Sequence, residues 1–117
     1  MDKLNHYRNL IKKILTEYEQ LASKTPNPSG VDTVLAFDEK RDQYLWFQIG
    51  WYEEKRVKGI TVYVRIKNDK IWIEEDWTEE GIATKLLSEG VPKSDIVLAF
   101  HSPEKRKFTE FAIELTG

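Results

Sequence analysis

Apolar residues recur every three or four positions through residues 2–24, and charged residues fill the positions between them. This spacing is typical of an amphipathic helix. The apolar stripe consists of Leu4, Tyr7, Ile11, Ile14, Leu15, Tyr18 and Leu21. We interpret the segment as a long helix that lies on a sheet, with a helix that binds a partner protein as the alternative.

After a loop at residues 25–30, where proline and glycine cluster, the period of the pattern changes to two. Strands are predicted at residues 31–38, 43–53, 57–67 and 70–75. The connections are short and polar, and Asn68-Asp69 is a two-residue hairpin candidate. Short connections favour antiparallel neighbours, so we expect a four-stranded meander.

Alternation along these strands predicts which side chains share a face. The predicted core face carries Ile60, Val62, Val64 and Ile66 on the third strand, Leu45, Phe47, Ile49 and Trp51 on the second, and Ile71 and Ile73 on the fourth. The other face is unusually aromatic, so either the C-terminal helices or another chain must cover it. Because large aromatic side chains are typical interface anchors, we predict a partner interface, with a second copy of this chain as one candidate partner. Its candidate residues are Tyr44, Trp46, Tyr52, Tyr63, Trp72 and Trp77.

The segment from residue 71 to residue 108 holds most of the turn and capping signals. A helix begins after Asp76 or Thr78, either of which can cap it, with acidic residues in its first turn. Gly90, followed by Val91, predicts a Schellman stop. A buried strand is predicted at 96–100. Residues 103–115 fit either a short helix that starts at Ser102-Pro103 or a strand, and we prefer the helix.

These elements predict one α+β domain over residues 1–117, in which a long N-terminal helix and C-terminal helices pack on an antiparallel four-stranded meander. The chain has 117 residues, no cysteine and a net charge of −2. It begins with a charged amphipathic helix rather than a signal peptide and lacks the roughly 20-residue apolar run that spans a bilayer. We therefore expect a soluble cytoplasmic protein with no membrane contact.

Candidate chemistry is sparse. The two histidines are His6 and His101, and Ser102 beside His101 has a simpler role as a helix cap. A small hydrolase at this position is a remote alternative. The acidic residues are not favoured as a metal site, because the first alternate between the faces of a strand and the later ones are explained as helix-start charges. They are Glu74, Glu75, Asp76, Glu79 and Glu80. We predict no catalytic residues, no metal and no cofactor.

Two further charge patterns bear on function. Asp38, with Glu53 and Lys55, resembles the acidic pattern of restriction-type nucleases, but the last two residues fall at a hairpin end, so we do not favour it. The basic residues Lys12, Lys13, Lys105, Arg106 and Lys107 are candidates for contact with nucleic acid or an acidic partner. The chain nevertheless lacks the dense basic face of a free-standing DNA binder.

Short motifs along nearly the whole chain carry a family resemblance. They are MDKLNHY at residues 1–7, GW at 50–51, KIWI at 70–73, TEEGIA at 78–83, GVPKSDIVL at 90–98 and FHSP at 100–103. In this combination the chain resembles the XisI family, the fdxN-element excision-controlling factors of cyanobacteria. Six motif positions have no assigned role: Thr78, Glu79, Gly81, His101, Ser102 and Pro103. One departure is Trp77, which stands where the family commonly has glycine.

The resemblance implies an α+β fold and an accessory role in programmed excision of a DNA element during heterocyst development. It also implies a companion of the XisH family, a nuclease-type protein usually encoded nearby, while the recombinase is a third protein. No catalytic residues are established for the family, so none carries over. We therefore expect a non-enzymatic protein that binds and controls an XisH-like companion. The alternative is an accessory factor that contacts DNA.

Overall fold

The computed structural model describes residues 2–23 and 30–114, so the predicted loop at 25–30 lies outside the described residues except for Gly30. The chain forms an α+β fold in which one long helix packs on a single mixed sheet. In order, the elements are α1 (Lys3–Ser23), β1 (Val31–Asp38), β2 (Gln43–Tyr52), β3 (Lys55–Lys67), β4 (Lys70–Asp76), α2 (Ile82–Ser88), a 3₁₀ turn (Lys93–Asp95), β5 (Ile96–Leu98) and α3 (Pro103–Arg106).

The sheet has five strands in the order β1-β2-β3-β4-β5, rather than the four predicted. The first four form the expected antiparallel meander. The fifth strand lies parallel to β4, with Ile71 opposite Ile96 and Ile73 opposite Leu98. The reason is the connection: a helical crossover returns the chain in the same direction, as parallel pairing requires. The apolar run at 96–100 predicts a strand, but it does not predict that this strand lies at the edge of the same sheet.

The predicted stripe of α1 supplies one layer of the core. Tyr7, Ile11, Ile14 and Leu15 are buried against the sheet, and Leu10 joins them. The exception is the last member of the stripe, Leu21, which is 61% exposed. Although α1 is 21 residues long, no helix among the described residues is long and apolar enough to cross a membrane.

The predicted faces of β2 are reversed. Tyr44 lies opposite Val64 and Trp46 opposite Val62. Residues directly opposite in a ladder share a face, so Tyr44 and Trp46 point into the core under α1, where both are buried. The set predicted for the core, Leu45, Phe47, Ile49 and Trp51, lies on the other side. Both faces of β2 are apolar, so alternation alone did not distinguish them.

A β-bulge explains a second reversal, at Ile60. The register shifts between Trp46 and Phe47, so that Phe47 lies opposite Ile60 and Thr61 is the additional residue. An additional residue reverses the alternation of the strand, so that the side chains beyond it point to the opposite face of the sheet. Ile60 therefore leaves the core face of Val62 and is 38% exposed on the opposite side.

In the part of the chain that the structure describes, that opposite side of the sheet is covered at one end only. Trp72 and Val97 are buried there beneath Ala112 of the C-terminal segment. The amide of Ala112 donates a hydrogen bond of 2.9 Å to the carbonyl of Ile96, which fixes the segment along β5. Of the two predicted covers, the C-terminal segment is thus the one that lies over Trp72. The uncovered remainder, which we call the open face, comprises Leu45, Phe47, Ile49, Trp51, Ile60 and Tyr63.

The C-terminal helix is shorter than predicted. α3 has four residues, with Ser102 at the N-cap position and Pro103 in the first turn, as expected. The chain then turns through hydrogen bonds from Phe108 to the carbonyl of Lys105 and from Thr109 to that of Arg106. Residues 115–117 lie outside the described residues.

Candidate functional site

The open face is an exposed apolar surface supported by two neighbouring β-strands. Trp51 is 56% exposed, and the guanidinium of Arg56, directly opposite it, lies 5.4 Å from its ring centre. Leu45, Phe47 and Ile49 are half-buried beside it. Such patches on a sheet, held by rigid strands, are typical of protein–protein contact sites.

Three residues of the predicted interface are not on the surface. Tyr44 and Trp46 are buried under α1, and Trp72 is buried under the C-terminal segment. The prediction that they face outwards is therefore wrong. Tyr52, at the β2–β3 hairpin end, and Trp77, after β4, are exposed as expected. Tyr63 is half-buried on the open face, where its hydroxyl donates a hydrogen bond of 2.9 Å to Gln43 Oε1.

Each buried aromatic residue has a packing role. The Tyr44 hydroxyl donates to Asp42 Oδ1 at 3.1 Å, and burial together with this carboxylate raises the pKa of Tyr44 above its usual range. Trp72 Nε1 donates to the carbonyl of Lys67 at 2.8 Å. Trp46 stacks on Tyr18 of α1 with ring centres 6.5 Å apart. Its Nε1 has no acceptor among the residues that the structure describes.

The predicted basic contact residues do not form one surface. Arg106 is only 1% exposed and donates to the carbonyls of Ala99, His101 and Glu114 at 2.8–3.1 Å. Lys12 pairs with Glu39 at 2.8 Å, and Lys13 lies 3.9 Å from Glu89. Lys105 and Lys107 are exposed on either side of Arg106. The prediction that Arg106 contacts an external partner is wrong, because its guanidinium holds the C-terminal segment.

The His101–Ser102 pair has the geometry of a strand-to-helix junction. The His101 ring lies against Phe100, with centres 4.6 Å apart, and the His101 carbonyl accepts from Arg106. No hydroxyl or carboxylate in the described part of the chain hydrogen-bonds to the ring. A catalytic pair requires a hydrogen bond between nucleophile and base, so the geometry does not support the hydrolase alternative.

The residues of the nuclease-like pattern do not lie close together either. Asp38 lies at the Gln43 end of the β1–β2 ladder, whereas Glu53 lies in the turn beyond the other end, about 30 Å away along the strands. The Asp38 carboxylate instead accepts the amides of Lys40 and Arg41, each at 3.0 Å. These hydrogen bonds, chiefly the one from the Arg41 amide, lower the pKa of Asp38. Within residues 2–23 and 30–114, no group of His, Asp or Glu is arranged to hold a metal ion.

Several family-motif positions lie in the loop that leads from β4 into α2. The Asp76 carboxylate accepts from the amide and hydroxyl of Thr78 at 2.9 and 2.6 Å and from the amide of Ile82 at 2.7 Å. The Thr78 hydroxyl in turn accepts the amide of Gly81 at 3.1 Å. Neither predicted cap occupies the N-cap position, which is Gly81, but the Asp76 carboxylate still accepts the first amide of α2.

The helix itself begins later than predicted, at Ile82, so Glu79 and Glu80 lie in the loop before its first turn. The helix starts late because the Asp76 carboxylate accepts the amide of Ile82, six residues further along the chain. The predicted Schellman stop is confirmed: Val91 donates to the carbonyl of Leu86 at 3.1 Å and Gly90 to that of Leu87 at 3.0 Å.

Replacement of Asp76 by alanine tests this loop. We expect Asp76→Ala to lower the free energy of unfolding by about 1–2 kcal/mol, the usual cost of losing a helix cap. Glu75→Ala, one residue away without these bonds, should change it by less than about 0.5 kcal/mol. Urea unfolding followed by circular dichroism measures both, and equal stability of the two variants would contradict the capping role.

Trp77, the departure from the family pattern, fits its position without strain. Its φ is not positive, so no glycine is required there, and its amide donates to the carbonyl of Thr61 at 2.9 Å. The side chain is 75% exposed and adds to the aromatic surface.

Sequence reasoning missed the residues that make up most of the open face. Leu45, Phe47 and Ile49 resemble core residues because they alternate as core residues do. The available signal was that β2 is apolar on both faces while the chain has only one long helix to cover a sheet.

Comparison with known proteins places the chain in a family. The family model described as XisI protein matches residues 1–113. Among solved structures, the fdxN element excision controlling factor XisI from Anabaena variabilis ATCC 29413 is 49% identical with a TM-score of 0.86, over 97% of this chain and 100% of that one. A XisI-like protein from the same organism is 34% identical with a TM-score of 0.87, over 95% and 99%. Comparison with curated proteins gives no match. The chain therefore belongs to the XisI family.

Proposed function

We propose that this protein is a non-enzymatic accessory factor in the excision of a DNA element, and that it binds and controls an XisH-like, nuclease-type companion. The similarity to a protein named as an fdxN element excision controlling factor supports the role in excision. The family resemblance supports the companion. The observation that carries the binding role is the open face, an apolar surface on β2 and β3 that no described element covers.

The distribution of charged side chains supports a binding role over a catalytic one. The Asp42 carboxylate accepts a hydrogen bond of 2.7 Å from Arg8 Nε, and Glu74 forms an ion pair of 2.8 Å with Arg65. The Asp76 carboxylate accepts the amide of Ile82 at the start of α2. These carboxylates are used to join elements of the fold. An active site would instead leave titratable groups directed into a shared cleft.

The composition of the open face favours a protein rather than DNA. Interfaces with nucleic acid are dense in lysine and arginine that neutralise phosphates. Arg56 and Lys58 lie on the open face at its hairpin end, opposite Trp51 and Ile49. Further along, the face is instead built from Leu45, Phe47 and Ile60, the kind of residues found in the buried centre of protein interfaces. Strands β2 and β3 are each hydrogen-bonded to a neighbouring strand on both sides. The backbone that carries these side chains is therefore fixed before a partner binds.

The test is co-expression with the companion and recovery through a tag on this chain. We expect a stoichiometric complex, which Trp51→Ala or Ile60→Ser weakens by about tenfold or more, as loss of a central interface residue does. The matched control is Leu21→Ala, because Leu21 is equally exposed but lies on α1, on the other side of the sheet.

Two outcomes would contradict the proposal. One is no complex although the companion is folded and present. The other is a complex that Trp51→Ala and Ile60→Ser leave unchanged, which would show that the open face is not the binding surface. Salt-dependent binding of the isolated chain to duplex DNA, without a complex, would favour the DNA-contacting alternative.

A further inference from the structure

Strand β1 lies at one end of the sheet and is paired on one side only. Its eight residues follow β2 in an uninterrupted antiparallel register, without a bulge. Because the Gly30 carbonyl accepts the amide of Trp51, every second residue of β1 from there bonds to β2. The amides and carbonyls of Leu35 and Phe37 therefore point away from β2. They have no hydrogen-bond partner among the residues that the structure describes.

The other edges of the sheet are protected against pairing with a further strand. β5 has only three residues, and the C-terminal segment lies along it through the hydrogen bond from Ala112 to Ile96. The first residues of β3 extend past the end of β4, and they include Lys55, Arg56 and Lys58. Short strands, covering segments and basic side chains are usual means by which proteins prevent edge-to-edge association.

β1 has none of these protections in the described part of the chain. It contains no proline, lysine or arginine, and its two charged residues, Asp32 and Asp38, stand on either side of five uncharged ones. A long, regular and largely apolar edge of this kind is a template on which another strand can pair. Backbone hydrogen bonds supply the affinity of such pairing, and alternate side chains select the partner. The edge of β1 is therefore a site for an added strand.

The sequence of β1 makes a second copy of the same strand a suitable partner. Two copies of β1 can pair antiparallel about a two-fold axis at Ala36. Leu35 of each copy then lies opposite Phe37 of the partner subunit. Since both residues have outward amides and carbonyls, each of these two pairs exchanges two backbone hydrogen bonds. The side chains of Leu35 and Phe37, which lie on the helix side of the sheet, form apolar cross-strand contacts.

The charged residues also agree with this register. Asp32 lies opposite the partner's Lys40, and Asp38 lies opposite the partner's Val34, so no like charges face each other. Lys40 is exposed in the turn after β1 and forms no ion pair within the described residues. A free peptide would have to become ordered before it could pair, whereas β1 of a second copy is already held extended by β2. Charge complementarity and preorganisation thus favour a second copy over a flexible segment.

We propose that two copies of this chain associate through β1 and form one continuous sheet across the two-fold axis. The open faces of the two copies then lie on the same side of that sheet. Val34 and Ala36, which are opposite Phe47 and Leu45 on β2, connect them. The second copy binds the edge of β1, whereas the companion proposed above binds the open face, so the two partners occupy different surfaces of the chain.

Position 36 faces itself across the axis, which allows a charge-pairing test. In sedimentation of the whole chain, the mass should rise from 13.8 kDa towards twice that value as the protein is concentrated, with a midpoint below about 1 mM. Ala36→Lys and Ala36→Asp each bring like charges together and should weaken association about tenfold or more. A mixture of the two variants should dimerise at least as well as the parent chain. Ala36 is exposed, so either variant should fold.

A second pair of substitutions and an exchange measurement locate the contact. Asp32→Lys should weaken association, and Lys40→Asp in the same chain should restore it. Hydrogen exchange at the amides of Leu35 and Phe37 should slow as the protein is concentrated, because these amides gain acceptors only in the dimer.

The controls are exposed strand residues away from this edge. Gln48→Lys adds the same charge as Ala36→Lys, but on β2 inside the sheet, and Trp51→Ala alters the open face. Both variants should associate as the parent chain does.

Several results would overturn the inference. They are a monomer at every concentration, a mixture of Ala36→Lys and Ala36→Asp that fails to dimerise, and a dimer that Trp51→Ala disrupts, which would place the second copy on the open face. Protection of the Leu35 and Phe37 amides by the companion alone, with the isolated chain monomeric, would show that the companion supplies the added strand. Dimerisation is measured without the companion, so its failure is distinguishable from failure to recover a complex with the companion.

Discussion

Arg106→Met is expected to lower the free energy of unfolding by about 3–5 kcal/mol, the range for loss of a buried hydrogen-bond network. The Arg106 side chain is almost wholly buried and donates to the carbonyls of Ala99, His101 and Glu114. Its guanidinium also lies 5.4 Å from the ring centre of Trp72. Methionine fills a similar space but donates no hydrogen bond, so three carbonyls lose a partner at once.

Urea unfolding measures the loss, and the neighbouring lysines provide matched controls. Lys105→Met and Lys107→Met remove a cation from an exposed position and should each change stability by less than about 0.5 kcal/mol. Arg106→Lys should recover only part of the loss, because an ammonium lacks the planar fork that reaches three acceptors. Arg106→Met as stable as Lys105→Met would show that the guanidinium does not hold the C-terminal segment.

Local signals in the sequence account for much of the fold. The three-to-four residue spacing of α1, the turn at Asn68-Asp69 and the Gly90 stop each depend on neighbours within a few positions. Such features are visible in a single sequence because the residues that cause them are adjacent in it. The same holds for Ser102-Pro103 at the start of α3.

The faces of the sheet were less predictable, because they depend on register. A shift of one residue moves every side chain of a strand to the opposite face. On β2 both alternating sets are apolar, and on β3 the additional residue Thr61 changes the phase in the middle of the strand. The aromatic surface predicted around Trp46 and Trp72 is thus buried, while Phe47 and Ile60 form the open face.

The role of Arg106 had no local signal at all. Lys105, Arg106 and Lys107 look alike in sequence, and only the approach of β5 and the C-terminal segment distinguishes the central one. The acceptors that fix it are backbone carbonyls, which carry no sequence identity.

Gly50→Ala should be strongly destabilising, by about 2–4 kcal/mol, because the backbone of another strand end passes directly over it. A Cβ at position 50 would lie 1.9 Å from the carbonyl oxygen of Gly30 and 2.8 Å from the Cα of Val31. That carbonyl accepts the amide of Trp51 at 2.9 Å, so it cannot withdraw without breaking the bond. The φ of Gly50, +154°, is also one that residues with a side chain rarely adopt.

Gly59 on the neighbouring strand is the control. A Cβ there meets nothing within 4 Å and its φ is not positive, so Gly59→Ala should be neutral or stabilising by up to about 1 kcal/mol. Urea unfolding compares the two, and hydrogen exchange at the Trp51 amide reports whether the β1–β2 end opens. Equal stability would mean that the contact relaxes freely. A loss confined to Gly50→Ala, with faster exchange at Trp51, would show that the Gly30–Gly50 approach fixes the most exposed residue of the open face.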